Sequence, residues 1–204
     1  MRYSIMPMML AAGLATLCAP AALAQDDSDK ANNIVRFGLG WLDPDGEGDV
    51  ESVNGITDIH ITADNATAYF LDYERRIVPW FGIDLQASYA EPEFQAYPID
   101  GSPGFTVNEK TYTGTVGANF HVFSRARFDL YLGGLVGYTF FGDTFDNAFG
   151  YGAVIGTDIG LTKKGLVLVA SIRYMRTDAD TTDTPSSSLP YNPLMYQLGL
   201  GFRF

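Results

Sequence analysis

Hydrophobic and polar residues alternate with a period of two along most of the chain beyond residue 32. Alternation of this kind is typical of β-strands whose two faces meet different surroundings. In the first segment, the two faces would carry Val35, Phe37, Leu39 and Trp41 against Arg36, Gly38 and Gly40. The pattern predicts an all-β fold with eight strands, at Asn33–Leu42, Ala66–Glu74, Trp80–Ala90, Lys110–Phe123, Arg127–Phe141, Phe149–Leu161, Leu166–Thr177 and Met195–Phe204.

The apolar face of these strands carries aromatic residues at its two ends. One end would hold Tyr73, Phe81, Phe120, Phe128 and Phe202, and the other Trp41, Tyr69, Tyr89, Tyr112, Tyr138, Tyr174 and Tyr196. Two aromatic belts on an apolar face are typical of a barrel that crosses a membrane, whereas a soluble β-sandwich, the alternative, turns its apolar face inward. We therefore predict an eight-stranded antiparallel transmembrane β-barrel, built as an up-and-down meander.

The connections between the predicted strands also alternate in character. Three are short and basic: Glu74-Arg75-Arg76, Ser124–Arg127 and Thr162–Gly165. The other four are longer: Asp43–Asn65, Glu91–Glu109, Gly142–Ala148 and Asp178–Leu194. Short turns are typical of the periplasmic side of such barrels and long loops of the extracellular side. With an even number of strands, both termini should then be periplasmic.

The first 24 residues have the features of a secretory signal peptide. Arg2 is followed by an apolar stretch, and Ala22-Leu23-Ala24 matches a small-residue cleavage site. We therefore predict a signal peptide at 1–24 and an outer-membrane barrel domain at 25–204. Cleavage would remove Cys18, the only cysteine of the chain. An exported barrel of this kind belongs to the outer membrane of a Gram-negative bacterium.

The charge of the chain limits its partners. The formal net charge of −11 makes nucleic acid an unsuitable partner, since nucleic-acid binding requires a basic face. The expected partners are outer-membrane lipid and lipopolysaccharide, together with small apolar solutes if the barrel transports them. The chain ends in a strand with a terminal aromatic residue, Gly201-Phe202-Arg203-Phe204, and this ending resembles the signal that the barrel assembly machinery recognises.

The strand phase divides the barrel interior into two regions. The periplasmic half would form a charged floor made of Arg36, Asp72, Asp84, Asp129, Asp158, Arg173 and Arg203. Above it, smaller and more apolar residues would line a channel, with Phe70, Leu135, Val154 and Met175 as its walls. Two interpretations stay open, because an eight-stranded barrel is barely wide enough for its own side chains. The interior is either a packed core of paired charges or a small apolar chamber above a charged floor.

Metal binding and catalysis have little support in the sequence. Asp43, Asp45, Glu47 and Asp49 resemble the start of an EF-hand calcium loop, but the twelfth position is Asn54 instead of the bidentate Glu. These residues are at most a weak cation contact in a solvated acidic loop. Neither His60 nor His121 pairs with a serine as a hydrolase would require. We expect no cofactor, no resident metal and no enzymatic activity.

Several segments together resemble the OmpW family of small outer-membrane barrels. They are Val35–Gly46, Gly156–Ile159, Ser171–Tyr174 and the ending Gly199–Phe204. The resemblance implies an eight-stranded barrel with a narrow apolar channel that is open to the outside. It also implies uptake of small hydrophobic molecules, which leave sideways into the membrane because polar residues close the floor. Gly142–Ala148 is short for the family, which argues against an extended outer funnel.

Two hypotheses for the function follow. The first is a narrow channel for passive uptake of small hydrophobic molecules. The alternative is a structural or interaction barrel that does not transport, and whose acidic loops engage lipopolysaccharide, cations, phage or host surfaces.

Overall fold

The computed structural model describes residues 32–45, 47–50, 59–98, 103–125, 127–142, 145–181 and 184–204. The predicted signal peptide and Asn54 lie outside these residues. Twelve β-strands occur in the described part: β1 (Asn33–Asp45), β2 (Glu47–Val50), β3 (Ile59–Ala63), β4 (Ala66–Val78), β5 (Phe81–Ala90), β6 (Glu93–Pro98), β7 (Phe105–Asn108), β8 (Thr111–Arg125), β9 (Phe128–Phe140), β10 (Ala148–Gly160), β11 (Leu166–Thr181) and β12 (Thr184–Arg203). No helix in these residues is long and apolar enough to span a membrane.

The eight long strands close into one antiparallel barrel, in the order β1-β12-β11-β10-β9-β8-β5-β4. The last strand pairs with the first, with Phe37 opposite Leu200, and the first also pairs with β4, with Phe37 opposite Leu71. Closure leaves no unpaired sheet edge, which a bilayer would penalise by several kcal/mol per unsatisfied group. The predicted fold class is confirmed.

The barrel turns its apolar side chains outward. Phe37, Ile155 and Leu198 have more than half of their surface exposed, whereas Arg36 and Asp158, on the opposite faces of β1 and β10, are almost completely buried. The tyrosines of the predicted belt lie side by side, since Tyr69 pairs with Tyr89 across β4 and β5, and Tyr89 with Tyr112 across β5 and β8. At the other end Trp80 stacks on Phe120, with a centroid distance of 6.2 Å.

Three predicted strand limits are wrong. The second strand was predicted to end at Glu74 with a turn through Arg76, but β4 continues to Val78, and the turn comes at Pro79 and Trp80. Likewise, the predicted loop Asp178–Leu194 is mostly a hairpin, because β11 extends to Thr181 and β12 begins at Thr184. The two strands of a hairpin satisfy each other's backbone hydrogen bonds. β11 and β12 can therefore continue beyond the region in which lipid enforces alternation.

Two of the predicted loops also contain strands. A separate four-stranded sheet, in the order β2-β3-β6-β7, is built from Asp43–Asn65 and Glu91–Glu109. Its register places His60 opposite Tyr97 and Ala63 opposite Phe94. The strands are four to six residues long, and β3 is half-buried along its whole length. Strands this short give a weak alternation signal, and the two faces of β3 do not differ in burial. The alternation pattern therefore did not predict these four strands.

Two glycines on neighbouring barrel strands, Gly134 on β9 and Gly152 on β10, differ in the space they leave for a side chain, and this gives a first prediction. A Cβ at Gly152 would overlap with the backbone carbonyl of Tyr174, whereas a Cβ at Gly134 would find its nearest atom 3.9 Å away. Gly152→Ala should therefore destabilise the barrel by about 1–3 kcal/mol, the usual cost of overpacking. Gly134→Ala should be nearly neutral. Urea unfolding in lipid vesicles checks both, and equal stability of the two variants would contradict the close strand approach at Gly152.

Candidate functional site in the barrel interior

The barrel interior has three layers between the end that holds the chain termini, here the lower end, and the opposite, upper end. Asn33 and Phe204 mark the lower end, where their backbones exchange hydrogen bonds of 3.1 and 2.9 Å. A network of charges fills the lower half, a small cavity lies above it, and aromatic side chains cover the cavity.

Arg36 on β1 is the centre of the charged layer. Its guanidinium group donates hydrogen bonds to Asp72 at 2.6 Å, Glu74 at 2.9 Å and Asp158 at 2.9 and 3.0 Å. The guanidinium carbon also lies 5.0 Å from the centre of the Tyr131 ring. All four partners are buried. A guanidinium with five N–H donors in a planar fork can bind three carboxylates at once.

Two further arginines connect the remaining predicted floor residues. Arg173 on β11 binds Asp72 at 2.9 Å and Asp84 at 2.7 Å. Arg203 on β12 lies 3.3 Å from Asp129 and 3.5 Å from Asp158. The structure thus brings all seven predicted floor residues into one network, formed by Arg36, Asp72, Asp84, Asp129, Asp158, Arg173 and Arg203.

Three further members of this network, Glu74, Arg76 and His121, were not predicted from the sequence. His121 lies between two carboxylates, with Nε2 2.7 Å from Glu74 and Nδ1 3.1 Å from Asp129. Arg76 also contacts both carboxylates. The signal for Glu74 and Arg76 was present, because they continue the period of two that begins at Asp72, but the charge run was interpreted as a turn. His121 is buried on the inward-facing side of β8, but the sequence does not indicate its partners.

The charges of the network nearly balance. Among the described residues it contains five carboxylates, four arginines and one histidine. Buried charges of this kind are stable only when they are paired and hydrogen-bonded. The interlocked groups close the lower half of the barrel to apolar molecules, which would have to displace them.

Neutral polar groups lie between most of the charge network and the cavity, which Arg173 alone of the network members lines. Gln197 donates a hydrogen bond of 3.2 Å to Gln86, and Ser171 donates one of 2.7 Å to Gln197. These three side chains are buried and come from β5, β11 and β12. Toward the cavity, the charged groups of the lower half are therefore followed by neutral polar groups.

The cavity has a volume of about 40 Å³. Its walls are formed by Leu42, Gln86, Ser88, Ala90, Thr111, Thr113, Thr115, Leu135, Arg173, Met175, Tyr191, Pro193 and Met195. Of the four predicted channel residues, Leu135 and Met175 line it, and Val154 packs with them in one buried cluster that includes Tyr131. Phe70 is buried but is not among the lining residues. About half of the lining residues are polar, whereas the predicted chamber is apolar.

An aromatic cluster, here the roof, covers the cavity from above. It consists of Phe94 on β6, Phe141 and Phe145 in the connection between β9 and β10, and Tyr191 on β12, together with Ala148. Ring centroids are 4.8 Å apart for Phe94 and Phe145, and 5.4 Å for Phe141 and Tyr191. Tyr191 belongs both to the roof and to the cavity wall. Burial raises the pKa of its phenol, which keeps the hydroxyl protonated.

The roof was not predicted, since Phe94 and Phe145 lie in segments interpreted as polar loops. Their only sequence signal is that they are large aromatic residues in such segments. The short connection Gly142–Ala148 contributes Phe145 to the roof, which explains how a short loop can still close the barrel mouth.

The barrel wall beside the cavity is thin at Gly40 on β1. A Cβ at this glycine would meet the Met195 side chain at 3.0 Å on the cavity side. On the lipid side, a groove of about 350 Å³ follows the same stretch of wall, and we call it the outer groove. It is lined by Leu39, Gly40, Trp41, Thr67, Tyr196, Gln197 and Leu198.

The weak metal candidates do not form a site in the described residues. Asp43 is exposed near the end of β1, and the side chains of Asp45, Glu47 and Asp49 lie outside the described part. No group of three or more His, Cys, Asp or Glu side chains in the described part could hold a metal ion.

A closed eight-stranded barrel with an apolar, aromatic-banded exterior and a charged interior defines an outer-membrane protein. The family model of the outer membrane protein beta-barrel domain matches residues 9–204, and the chain belongs to this family.

Solved structures of small outer-membrane barrels share this fold. OprG from Pseudomonas aeruginosa superposes with a TM-score of 0.69 at 18% identity, covering 84% of this chain and 95% of that one. AlkL in lipid bilayers gives 0.63 at 18% identity, covering 84% and 89%. E. coli outer membrane protein W gives 0.51 at 14% identity, covering 85% and 97%. The expected resemblance to the OmpW family is confirmed at the level of the fold. No curated protein matches the chain.

Proposed function

We propose that this barrel is a route for the passive uptake of small hydrophobic molecules across the outer membrane. The observation that carries the proposal is the position of the cavity, which lies above the charge network and beside the thin wall at Gly40. Polar lipopolysaccharide headgroups exclude apolar molecules from the membrane surface. A protein cavity that begins above this layer and adjoins the lipid-facing side would bypass it.

The charge network determines the direction in which a solute leaves. An apolar molecule that moved further down would separate Arg36 and Arg173 from their carboxylates, and desolvated unpaired charges cost several kcal/mol each. At Gly40, by contrast, the wall between the cavity and the outer groove is the pairing of β1 with β12, where Gly40 lies opposite Gln197 and the flexible Met195 fills the inner side. Lateral passage toward lipid would open the β1–β12 pairing near Gly40 but would leave the charge network intact, and it agrees with what the OmpW resemblance implies.

The proposal includes an orientation. The lower end, with both termini, would face the periplasm, where the C-terminal strand is accessible to the assembly machinery. The roof and the four-stranded sheet would then face lipopolysaccharide and the medium. Protease treatment of intact cells checks this orientation, since cleavage should occur only in the upper connections.

The direct test is uptake into vesicles whose outer leaflet contains lipopolysaccharide. An apolar fluorescent solute should enter faster with the barrel than without it, whereas a sugar of similar size should not. Absence of protein-dependent uptake for both solutes would reject the proposal.

Leu135→Asp is expected to lower apolar uptake at least tenfold while the barrel still assembles. A carboxylate at this cavity wall must be desolvated by an apolar solute, which costs several kcal/mol. Leu135→Met preserves volume and polarity and is the matched control, for which uptake should stay near that of the parent. Unchanged uptake in a folded Leu135→Asp barrel would rule out the cavity as the route.

Phe145→Ala should have the opposite effect and accelerate uptake severalfold, because it removes a ring that packs on both Phe94 and Phe141 in the roof. Tyr97→Ala is the control, since it removes an aromatic ring that is 48% exposed on β6, two residues beyond the half-buried Gln95. The same vesicle measurement checks both variants. Equal rates for Phe145→Ala and the parent would show that the roof does not limit access.

A non-transporting interaction barrel is the second candidate. It is favoured by the ordered four-stranded sheet at the upper end, which presents Tyr97 and Phe105 with about half of their surface exposed. In that case Tyr97→Ala should weaken adsorption to lipopolysaccharide or to cells, and the cavity variants should leave it unchanged.

A further inference from the structure

The cavity has two chemically different walls that face each other. In the barrel order, β5 and β8 are neighbours and lie across the barrel from β11 and β12. The wall on β5 and β8 is polar, with Gln86 paired to Thr115 and Ser88 paired to Thr113. The opposite wall is apolar at Met175, Pro193 and Met195, with Arg173 of β11 at its lower edge. The polar wall is therefore a continuous patch and not an isolated hydroxyl in an apolar chamber.

The polar wall retains hydrogen-bonding capacity. Thr115 accepts a bond of 3.3 Å from Arg173, so its own hydroxyl hydrogen is available to another acceptor. Thr113 shares a bond of 3.1 Å with Thr139, in which either oxygen can donate, and each hydroxyl can still accept. Arg173 borders the same cavity, is 94% buried, and has an Nε that makes no hydrogen bond in the described structure. A solute oxygen at this wall would find both donors and acceptors.

The charges below the cavity determine which head group fits. The single positive charge of Arg173 is already shared by Asp72 and Asp84, at 2.9 and 2.7 Å. A solute carboxylate would therefore approach a guanidinium that Asp72 and Asp84 already neutralise, and both of these carboxylates would repel it. A neutral hydroxyl or carbonyl oxygen meets no such repulsion.

The opposite wall suits an apolar body of variable shape. Methionine side chains are flexible and fill irregular gaps, so Met175 and Met195 can rearrange around a hydrocarbon chain. The present volume of about 40 Å³ is room for roughly three water molecules, enough for a polar head and its first carbons. The rest of a solute would extend between the methionines toward Gly40 and the outer groove.

We propose that the cavity selects neutral amphipathic solutes, with one hydroxyl or carbonyl oxygen on the Ser88, Thr113 and Thr115 wall and a hydrocarbon body on the Met175 and Met195 wall. This inference rests on the proposed uptake function and narrows its substrate class from hydrophobic molecules in general to mono-oxygenated ones.

The two methionines make the binding measurable. The chain has six methionines, of which four lie in the predicted signal peptide, and the other two are the cavity residues Met175 and Met195. Protein produced from the full-length gene with isotope-labelled methionine methyl groups should give two signals in detergent micelles, assigned by Met175→Leu. Hexane, hexanol, hexanoate and hexylamine are titrated and compared at equal concentration in the micelle phase.

Hexanol should shift both methyl signals with an affinity roughly fivefold higher than that of hexane, the effect of one net hydrogen bond. Hexanoate and hexylamine should bind more weakly than hexanol. Thr115→Val should reduce the preference for hexanol over hexane to near unity. Thr157→Val, on the outer face of β10, is the control and should preserve it. Thr115→Val also removes a hydrogen-bond partner of Arg173. If that variant does not fold, the comparison of the four ligands on the parent protein decides the test.

The possible outcomes separate the two proposals. Equal affinity for hexane and hexanol would overturn the selection of neutral amphipathic solutes, while uptake through the cavity stands. Tighter binding of hexanoate or hexylamine would overturn it as well. If no compound shifts either methyl signal, the cavity does not bind solutes, and the proposed function fails together with the inference.

Discussion

Arg36→Met should destabilise the barrel by at least about 3–5 kcal/mol, the usual cost of leaving a buried charge without its partner. The substitution preserves much of the side-chain volume but removes the only group that contacts Asp72, Glu74 and Asp158 together. Three buried carboxylates would then share the remaining cations. Unfolding by urea in lipid vesicles, followed by the fluorescence of the outward-facing Trp41 and Trp80, measures the loss.

Arg127→Met is the matched control, because Arg127 is exposed in the turn before β9. Its loss should change the stability by less than about 0.5 kcal/mol. Adding Asp158→Asn to Arg36→Met should recover part of the loss, since it removes one of the unpaired negative charges. A barrel with Arg36→Met that is as stable as the parent would show that the network does not depend on its central arginine.

The sequence alone predicts the membrane part of this fold well, for a physical reason. Lipid on one side and a narrow interior on the other force each spanning strand to alternate, as β1 and β10 do. The same constraint identifies the charged floor, because Arg36 and Asp158 share their strands with lipid-facing residues and must point inward. Their convergence into one network follows from barrel closure, which the cost of an unpaired strand edge in lipid already implies.

Lipid imposes no alternation on segments outside the membrane, and there the structure is predicted less accurately from the sequence. The strands β2, β3, β6 and β7 form a sheet separate from the barrel wall, so lipid does not impose alternation on them. Glu74 and Arg76 lie at the lower rim, where a run of charges is equally typical of a turn. The roof is assembled from Phe94, Phe145 and Tyr191 by contacts between distant segments, and a single sequence carries no signal for such contacts.

The character of the cavity depends on which strands face each other across the barrel. At the level of the cavity, the interior positions of β5 and β8 are rich in hydroxyl groups, and those of β11 and β12 carry Met175, Pro193 and Met195 above Arg173. Only the closed strand order shows that these two pairs are opposite, which gives two walls instead of a mixed lining.

Ile155→Arg is expected to destabilise the folded barrel in lipid by about 2–4 kcal/mol, the cost of an arginine on the lipid face near the bilayer midplane. Ile155 is 52% exposed near the middle of β10, and its neighbours across both strand pairs, Ile172 and Leu132, are also lipid-facing. The neighbouring Gly156 is not a suitable control, since any side chain there would overlap the Tyr131 ring.

Phe149→Arg is the better control for this prediction, because Phe149 is on the same face of β10, six residues closer to the upper rim. It is 63% exposed and pairs with the belt residue Tyr138, so an arginine there can reach the headgroups. Its cost should be about 0–1 kcal/mol. Urea unfolding in vesicles measures both variants. Equal destabilisation at the two positions would mean that the hydrocarbon region is not centred near Ile155, and the assignment of the aromatic belts to the two membrane interfaces would then be wrong.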